Sequence, residues 1–234
     1  MLFHEETGSG GPLVLVHGAW ADGRHWTRLA SELADEFRVV TYDRRGHGRS
    51  GGSHETIDRD ASDLTDLIES VGGPAHVVGG SLGGTIALRA AATSPASFLS
   101  LSVHEPALPH LLGGAPSAPE RVPPPKEFAE DSLGAGAWEK LTQEERKGFE
   151  DNGGVWAEEL ADATPSEVGA EALPMPLLVT IGGASPPFWR RIAEAIPGAT
   201  IEEVPGAGHL PHLGHAHEYA DVLKRFVSAA AAPR

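Results

Sequence analysis

The chain has 234 residues, a formal net charge of −15 and no cysteine. That length suits one α/β domain with one insertion, and it is ample for a large core. The acidic balance argues against nucleic acid or an anionic membrane as partner, and the missing cysteines exclude disulfides, thiolate metal sites and a cysteine nucleophile.

No run of eighteen apolar residues is present, and Met1 to Glu6 has neither a basic start nor an apolar core segment, so no membrane span or signal peptide is expected. A cytoplasmic protein fits that pattern.

Apolar runs at 13–16, 38–42, 75–78, 98–103, 177–181 and 200–204 predict six buried strands. Helical patterns fall between them. Trp26, Leu29, Ala30 and Leu33 repeat at helical spacing behind Asp22, a suitable cap. Ile57, Ala61, Leu64, Ile68 and Val71 mark one face of a longer helix. Further helices are predicted at 82–92 and 217–230. Alternation of this kind predicts a parallel sheet covered on both faces by right-handed crossovers.

The stretch 107–174 breaks the rhythm, with no strand pattern, frequent prolines (Pro116, Pro119, Pro123, Pro124 and Pro125 among them) and short helical pieces at 126–132, 137–149 and 155–161. It reads as a lid, which divides the core into 1–106 and 175–234. Its aromatics Phe128, Trp138, Phe149 and Trp156 either line a pocket or hold the lid down. Residues 120–171 carry fourteen Asp and Glu against five Lys and Arg, the pattern of a solvated outer face.

Chemistry concentrates at Gly79-Gly80-Ser81-Leu82-Gly83, which follows a strand run and opens a helix. A strand-to-helix turn this sharp lifts a serine hydroxyl above the sheet, and it needs glycines two residues either side of it. Gly48-Arg49-Ser50-Gly51-Gly52 matches the same pattern. Ser50, however, lies well past its strand and ahead of no helix, so it reads as a loop serine.

A serine needs a base, and His209 in Gly206-Ala207-Gly208-His209 follows the last strand, where a glycine loop can swing an imidazole over the strand ends. His212, His215 and His217 stand nearby, and a metal site is the competing reading of that cluster. For the oxyanion, the N–H of Leu82 follows the nucleophile. The N–H of Ala19, in His17-Gly18-Ala19-Trp20, is the favoured second donor, with His17 bracing its loop.

These segments, with Asp43-Arg44-Arg45-Gly46-His47-Gly48-Arg49-Ser50, resemble the α/β-hydrolase superfamily in order and spacing, over all but the lid. The resemblance implies an α/β-hydrolase fold: a mostly parallel sheet flanked by helices, with a small helical lid and the family's usual first strand missing. It also implies a serine–histidine pair working without metal or cofactor. The family's usual aspartate follows the strand before the histidine loop, but here that place reads Gly182-Gly183-Ala184-Ser185-Pro186-Pro187. Glu105, at the end of the strand after the nucleophile helix, is similar in place to the acid of haloalkane dehalogenases. It is the expected third member, with Asp43 and Asp162 as fallbacks, although it also reads as a cap at the lid entry.

A serine at the elbow points to acyl transfer to water on a small or medium ester, lactone or thioester, with Trp20, Trp138 and Trp156 as expected substrate contacts. C–C bond hydrolysis or lyase chemistry with the same triad stays open, as does a binding protein that keeps the triad without turnover. The oligomeric state is not legible.

Overall fold

The computed structural model describes residues 2–113, 121–161 and 168–231. Asp162, Pro116 and Pro119 lie outside the described residues. Seven strands form one sheet: β1 (His4–Thr7), β2 (Gly11–Val16), β3 (Phe37–Tyr42), β4 (Ala75–Gly80), β5 (Phe98–His104), β6 (Leu177–Gly182) and β7 (Thr200–Val204). Their spatial order is β1-β3-β2-β4-β5-β6-β7, and every pair is parallel except β1 with β3.

The six apolar runs become β2 to β7. β1 escapes a reading by hydrophobicity because His4-Glu5-Glu6-Thr7 is a polar, largely exposed edge strand. In the central strands both faces are buried, so the period of two hides inside a continuous apolar run. Val14, Val16 and Val77 join the cluster under one set of helices, while Leu13, Leu15 and Val78 join the cluster under the other.

The first cluster takes Ile57, Leu64 and Ile68 of α2 (Ile57–Ser70), Ile86 and Ala87 of α3 (Leu82–Thr93), and Ile192 of α7 (Pro187–Ala195). The second takes Leu29 and Leu33 of α1 (Thr27–Leu33) with Tyr219 and Leu223 of α9 (Ala216–Ala231). Asp22 does cap, but it starts a 3-10 turn, Gly23–Trp26, ahead of α1. No helix among the described residues is long and apolar enough to cross a membrane.

Between β5 and β6 stand α4 (Pro125–Leu133), α5 (Gln143–Asn152) and α6 (Val155–Ala161). The helix expected over 137–149 is broken. A 3-10 turn, Trp138–Lys140, ends at Leu141, and Thr142 then starts α5 in a reciprocal capping box with Glu145.

The acidic residues of this segment are not all solvated. Glu145 is buried, and its two oxygens accept from Arg28 Nε and Nη2 at 2.6 and 2.7 Å. Glu159 is buried against Arg44, whose Nη1 also donates to Asp60 Oδ2 at 2.7 Å. Burial pushes the Glu159 carboxyl up, but the charges of Arg44 and His47 and their hydrogen bonds win and hold it down to about 2. A depressed carboxyl stabilises the fold above its unfolded value, near 4.5, and that contribution is lost as pH falls towards 2. Urea unfolding of the wild type should therefore show falling stability from about pH 4.5 downward. Glu159→Gln should be less stable at pH 7 and should flatten that slope; an unchanged slope would remove Glu159 as its source.

Candidate active site

Ser81 sits between β4 and α3 at φ 51°, ψ −123°, in the left-handed half of backbone space that a non-glycine residue enters only when its surroundings force it. Two glycines make the turn possible. A Cβ on Gly79 would stand 2.6 Å from the Gly83 carbonyl oxygen, and one on Gly83 would collide with the carbonyl oxygens of Val16 and His17. The Ser81 N–H donates to the His104 carbonyl at 2.9 Å and carries the β4–β5 ladder one step past the strand end.

At the end of β5, Glu105 also has a positive φ, 44°, and is fully buried. Its Oε2 accepts from His209 Nδ1 at 2.7 Å, and its Oε1 accepts the Gly182 N–H at 2.9 Å. The end of β6, where the resembling family carries its acid, here donates a backbone hydrogen bond to an acid from the neighbouring strand. Burial pushes the Glu105 carboxyl up. The hydrogen bond from His209, with His104 and the His209 charge, outweighs burial and leaves it below the usual carboxylate range.

Neighbouring His104 is pushed down to about 4, chiefly by burial, so it is neutral near pH 7. Its Nδ1 lies 3.0 Å from Thr180 Oγ1 and its Nε2 3.3 Å from the Gly208 carbonyl, beside the histidine loop. The His209 ring stacks on Trp189 of α7, centroids 4.8 Å apart and 16° from parallel, and the His209 backbone N–H donates to the Ser132 carbonyl of the lid. Trp189 carried no signal in the sequence beyond its apolarity.

Ser81 and His209 line one cleft with Gly18 and Ala19. A Cβ on Gly18 would lie 3.2 Å from Ser81 Cβ and 3.7 Å from the Leu82 nitrogen, so the loop after β2 faces the first N–H groups of α3. That loop is braced as expected of His17: Nδ1 hydrogen-bonds the Gly18 carbonyl at 2.9 Å, and Nε2 accepts the Arg44 N–H at 2.9 Å. Arg44 also donates from Nε to the His17 carbonyl and from Nη2 to the Gly18 carbonyl, both at 3.1 Å. Through Glu159, the same guanidinium ties this loop to the lid.

The tryptophans expected to touch substrate do not line this cleft. Trp20, buried at φ 62°, stacks on Phe128 at 4.9 Å and lies 5.5 Å from Trp156, while Trp138 packs 6.2 Å from Phe149. Phe128 and Phe149 form the wall, and the three indoles stand behind it. In a panel of p-nitrophenyl esters, Phe128→Ala and Phe149→Ala should shift the preferred acyl length, because pocket volume is read through differential transition-state binding. Trp138→Ala and Trp156→Ala should leave the preference in place. A shift confined to the tryptophan variants would reverse the assignment of the wall.

The remaining candidates are engaged elsewhere. Asp43 accepts from the Gly23 N–H at 2.8 Å and the Arg49 N–H and Nε at 2.7 and 2.8 Å. Ser50 Oγ donates to the Asp43 carbonyl and accepts the Phe3 N–H at 2.9 Å. Of the histidines near His209, His212 lies against Trp26 and lines the same cleft, while His217 pairs with Glu32 at 2.9 Å. Among the described residues no three of His, Cys, Asp and Glu are grouped to hold a metal ion.

A model of the alpha/beta hydrolase family matches residues 13–222. A pimeloyl-(acyl-carrier protein) methyl ester esterase of Stenotrophomonas maltophilia is 31% identical over 95% of both chains. A Bacillus subtilis hydrolase is 38% identical over 48% of this chain, a match spanning only 44% of that relative's length. Among solved structures, a thermophilic esterase from Thermogutta terrifontis has a TM-score of 0.76 at 25% identity, covering 99% of this chain and 94% of the other. Matched from its second strand into its last helix, the chain belongs to the alpha/beta hydrolase family.

Proposed function

We propose that the protein is a serine esterase that cleaves a small or medium ester, lactone or thioester through an acyl-enzyme on Ser81. The observation that carries this reading is the 2.7 Å contact of Glu105 Oε2 with His209 Nδ1, in the cleft that His209 shares with the strained Ser81. Glu105 keeps the proton on Nδ1, so Nε2 is free to take the Ser81 proton as Oγ attacks the acyl carbon. The imidazolium that results faces a carboxylate and returns its proton to the leaving alcohol. The N–H groups of Leu82 and Ala19 receive the oxyanion, and a water activated by His209 then releases the acid. Relatives named as methyl ester esterases, matched over nearly their whole length, support the ester reading.

The space beside Ser81 is about 20 Å³, room for roughly one water, so an acyl group enters by displacing part of the wall. α5 is tied to the core by Arg28–Glu145 and by Asn152, whose Nδ2 donates to Asp22 Oδ2 at 2.8 Å. α4, which carries Phe128, adds exposed pairs within the lid, Arg121–Glu127 and Lys126–Glu139, to the hydrogen bond that its Ser132 carbonyl accepts from the His209 backbone N–H.

The experiment that tests the function is multiple turnover across p-nitrophenyl esters, lactones and thioesters, with a fluorophosphonate adduct mapped by peptide mass spectrometry. Turnover and an adduct on Ser81 are expected. Stoichiometric binding without turnover would make the protein a receptor on this fold.

A further inference from the structure

Most of the cleft beside Ser81 is apolar or backbone, and among the described residues no Lys, Arg, Asp or Glu lines it. A charged acyl chain would lie there unpaired and desolvated, which disfavours a substrate carrying a carboxylate or ammonium in that part. Apart from Ser81 and His209, the polar side chains of the lining are two imidazoles, His25 and His212. His25 is occupied: its Nδ1 accepts the Asp22 N–H at 3.3 Å and its Nε2 lies 2.9 Å from the Glu145 carbonyl.

His212 is different. It is 6% exposed, and among the described residues neither ring nitrogen makes a hydrogen bond. Its ring lies on Trp26, centroids 4.1 Å apart, and a Cβ on Gly80 would touch the Trp26 ring edge at 3.6 Å. One indole thus separates His212 from the residue before the nucleophile. Neither nitrogen is among the fully buried, unpartnered polar atoms of the described residues, so the ring keeps a polar opening on the cleft, where a ligand's hydrogen-bonding group can meet it.

Resting on the esterase reading, we propose that His212 anchors the acyl part of the substrate by hydrogen-bonding an uncharged oxygen-bearing group on it, a hydroxyl, ether or carbonyl. In this proposal the end is taken by the acyl part, the part that stays on Ser81 when the alcohol leaves. Burial, with the nearby His25, His104 and His209, holds the His212 imidazole well below its ordinary value and so neutral. A neutral ring offers one donor and one acceptor, suited to a neutral oxygen and not to an anion. The substrate class is then a small, uncharged, oxygen-bearing acyl ester and not a plain alkanoate.

The test compares p-nitrophenyl methoxyacetate and p-nitrophenyl 3-hydroxybutyrate with p-nitrophenyl butyrate, using the ratio of kcat/KM for each oxygenated ester to that of the alkyl ester. Taking the same ratio in wild type and variant cancels intrinsic ester reactivity. His212→Phe keeps a ring on Trp26 and removes both nitrogens. It should lower at least one ratio by roughly 10- to 100-fold, the scale for leaving a buried polar group unpaired. His212→Gln or His212→Asn, each placing an amide near one ring-nitrogen position, should restore part of it. Should His212→Phe fail to fold, His212→Leu is read in the same way, with a fluorophosphonate adduct on Ser81 as the check that the nucleophile is intact. Ester turnover with unchanged ratios in the folded variants would overturn the role of His212 alone. No turnover of any ester by the folded wild type would overturn the esterase reading and this inference with it.

Discussion

Ser81→Ala should abolish ester turnover and leave the fold essentially intact. The expected loss in kcat is on the order of 10⁵- to 10⁶-fold, the scale seen when the nucleophile of a serine hydrolase is removed, with the oxyanion donors supplying what remains. Stability should stay within about 0.5 kcal/mol of wild type, because Ser→Ala keeps the Cβ and changes no backbone hydrogen bond of the turn. The strain at φ 51° is common to both residues.

Ser50 provides the contrast. Its hydroxyl links Asp43 and Phe3, so Ser50→Ala should cost on the order of 1 kcal/mol and leave kcat alone. Steady-state kinetics with a p-nitrophenyl ester and thermal unfolding of both variants separate the two roles. Wild-type turnover in Ser81→Ala, or a fluorophosphonate adduct on Ser50, would sink the assignment.

Glu105→Gln should lower kcat by roughly 10³- to 10⁴-fold, the range for neutralising a triad acid. The physical cause is geometric. The carboxylate accepts two hydrogen bonds, from Gly182 N–H and from His209 Nδ1–H. An amide has one acceptor oxygen. If that oxygen stays with Gly182, the NH₂ faces His209, drives the proton to Nε2 and leaves no base toward Ser81. If it turns to His209, the NH₂ meets the Gly182 N–H and a buried donor goes unpaired. Either way substrate binding should survive better than kcat. Glu105→Asp, one methylene shorter, should fall between the two.

Because the wild-type carboxyl is held below its ordinary range, it is ionised throughout neutral pH, and the acidic limb of the rate profile should not report it. Near-wild-type kcat in Glu105→Gln, with loss in an Asp43 or Asp162 variant, would relocate the acid. Indifference to all three would leave a Ser–His dyad.

What could be read without coordinates is what short-range sterics and burial write locally. The elbow is legible because the Cβ atoms excluded at Gly79 and Gly83 lie within two residues of Ser81. Strands β2 to β6 are legible because both their faces are largely buried, and β1 is not because its residues face water. β7, expected to be buried, is instead the partly exposed opposite edge of the sheet.

The proposed acid could be named only by analogy and by the absence of a carboxylate after β6. The 2.7 Å contact joins residues 104 positions apart, and the N–H of Gly182 completes it. The same holds for the lid. Its acidic composition reads as solvated, yet Glu145 and Glu159 are buried against Arg28 and Arg44, partners 117 and 115 residues away. Helical spacing marks Phe128, Trp138, Phe149 and Trp156 alike as apolar. Which of them face Ser81 was decided by how α4 and α5 dock on Trp20. Periodicity records that a side chain leaves water, whereas its partner is set only when distant segments pack.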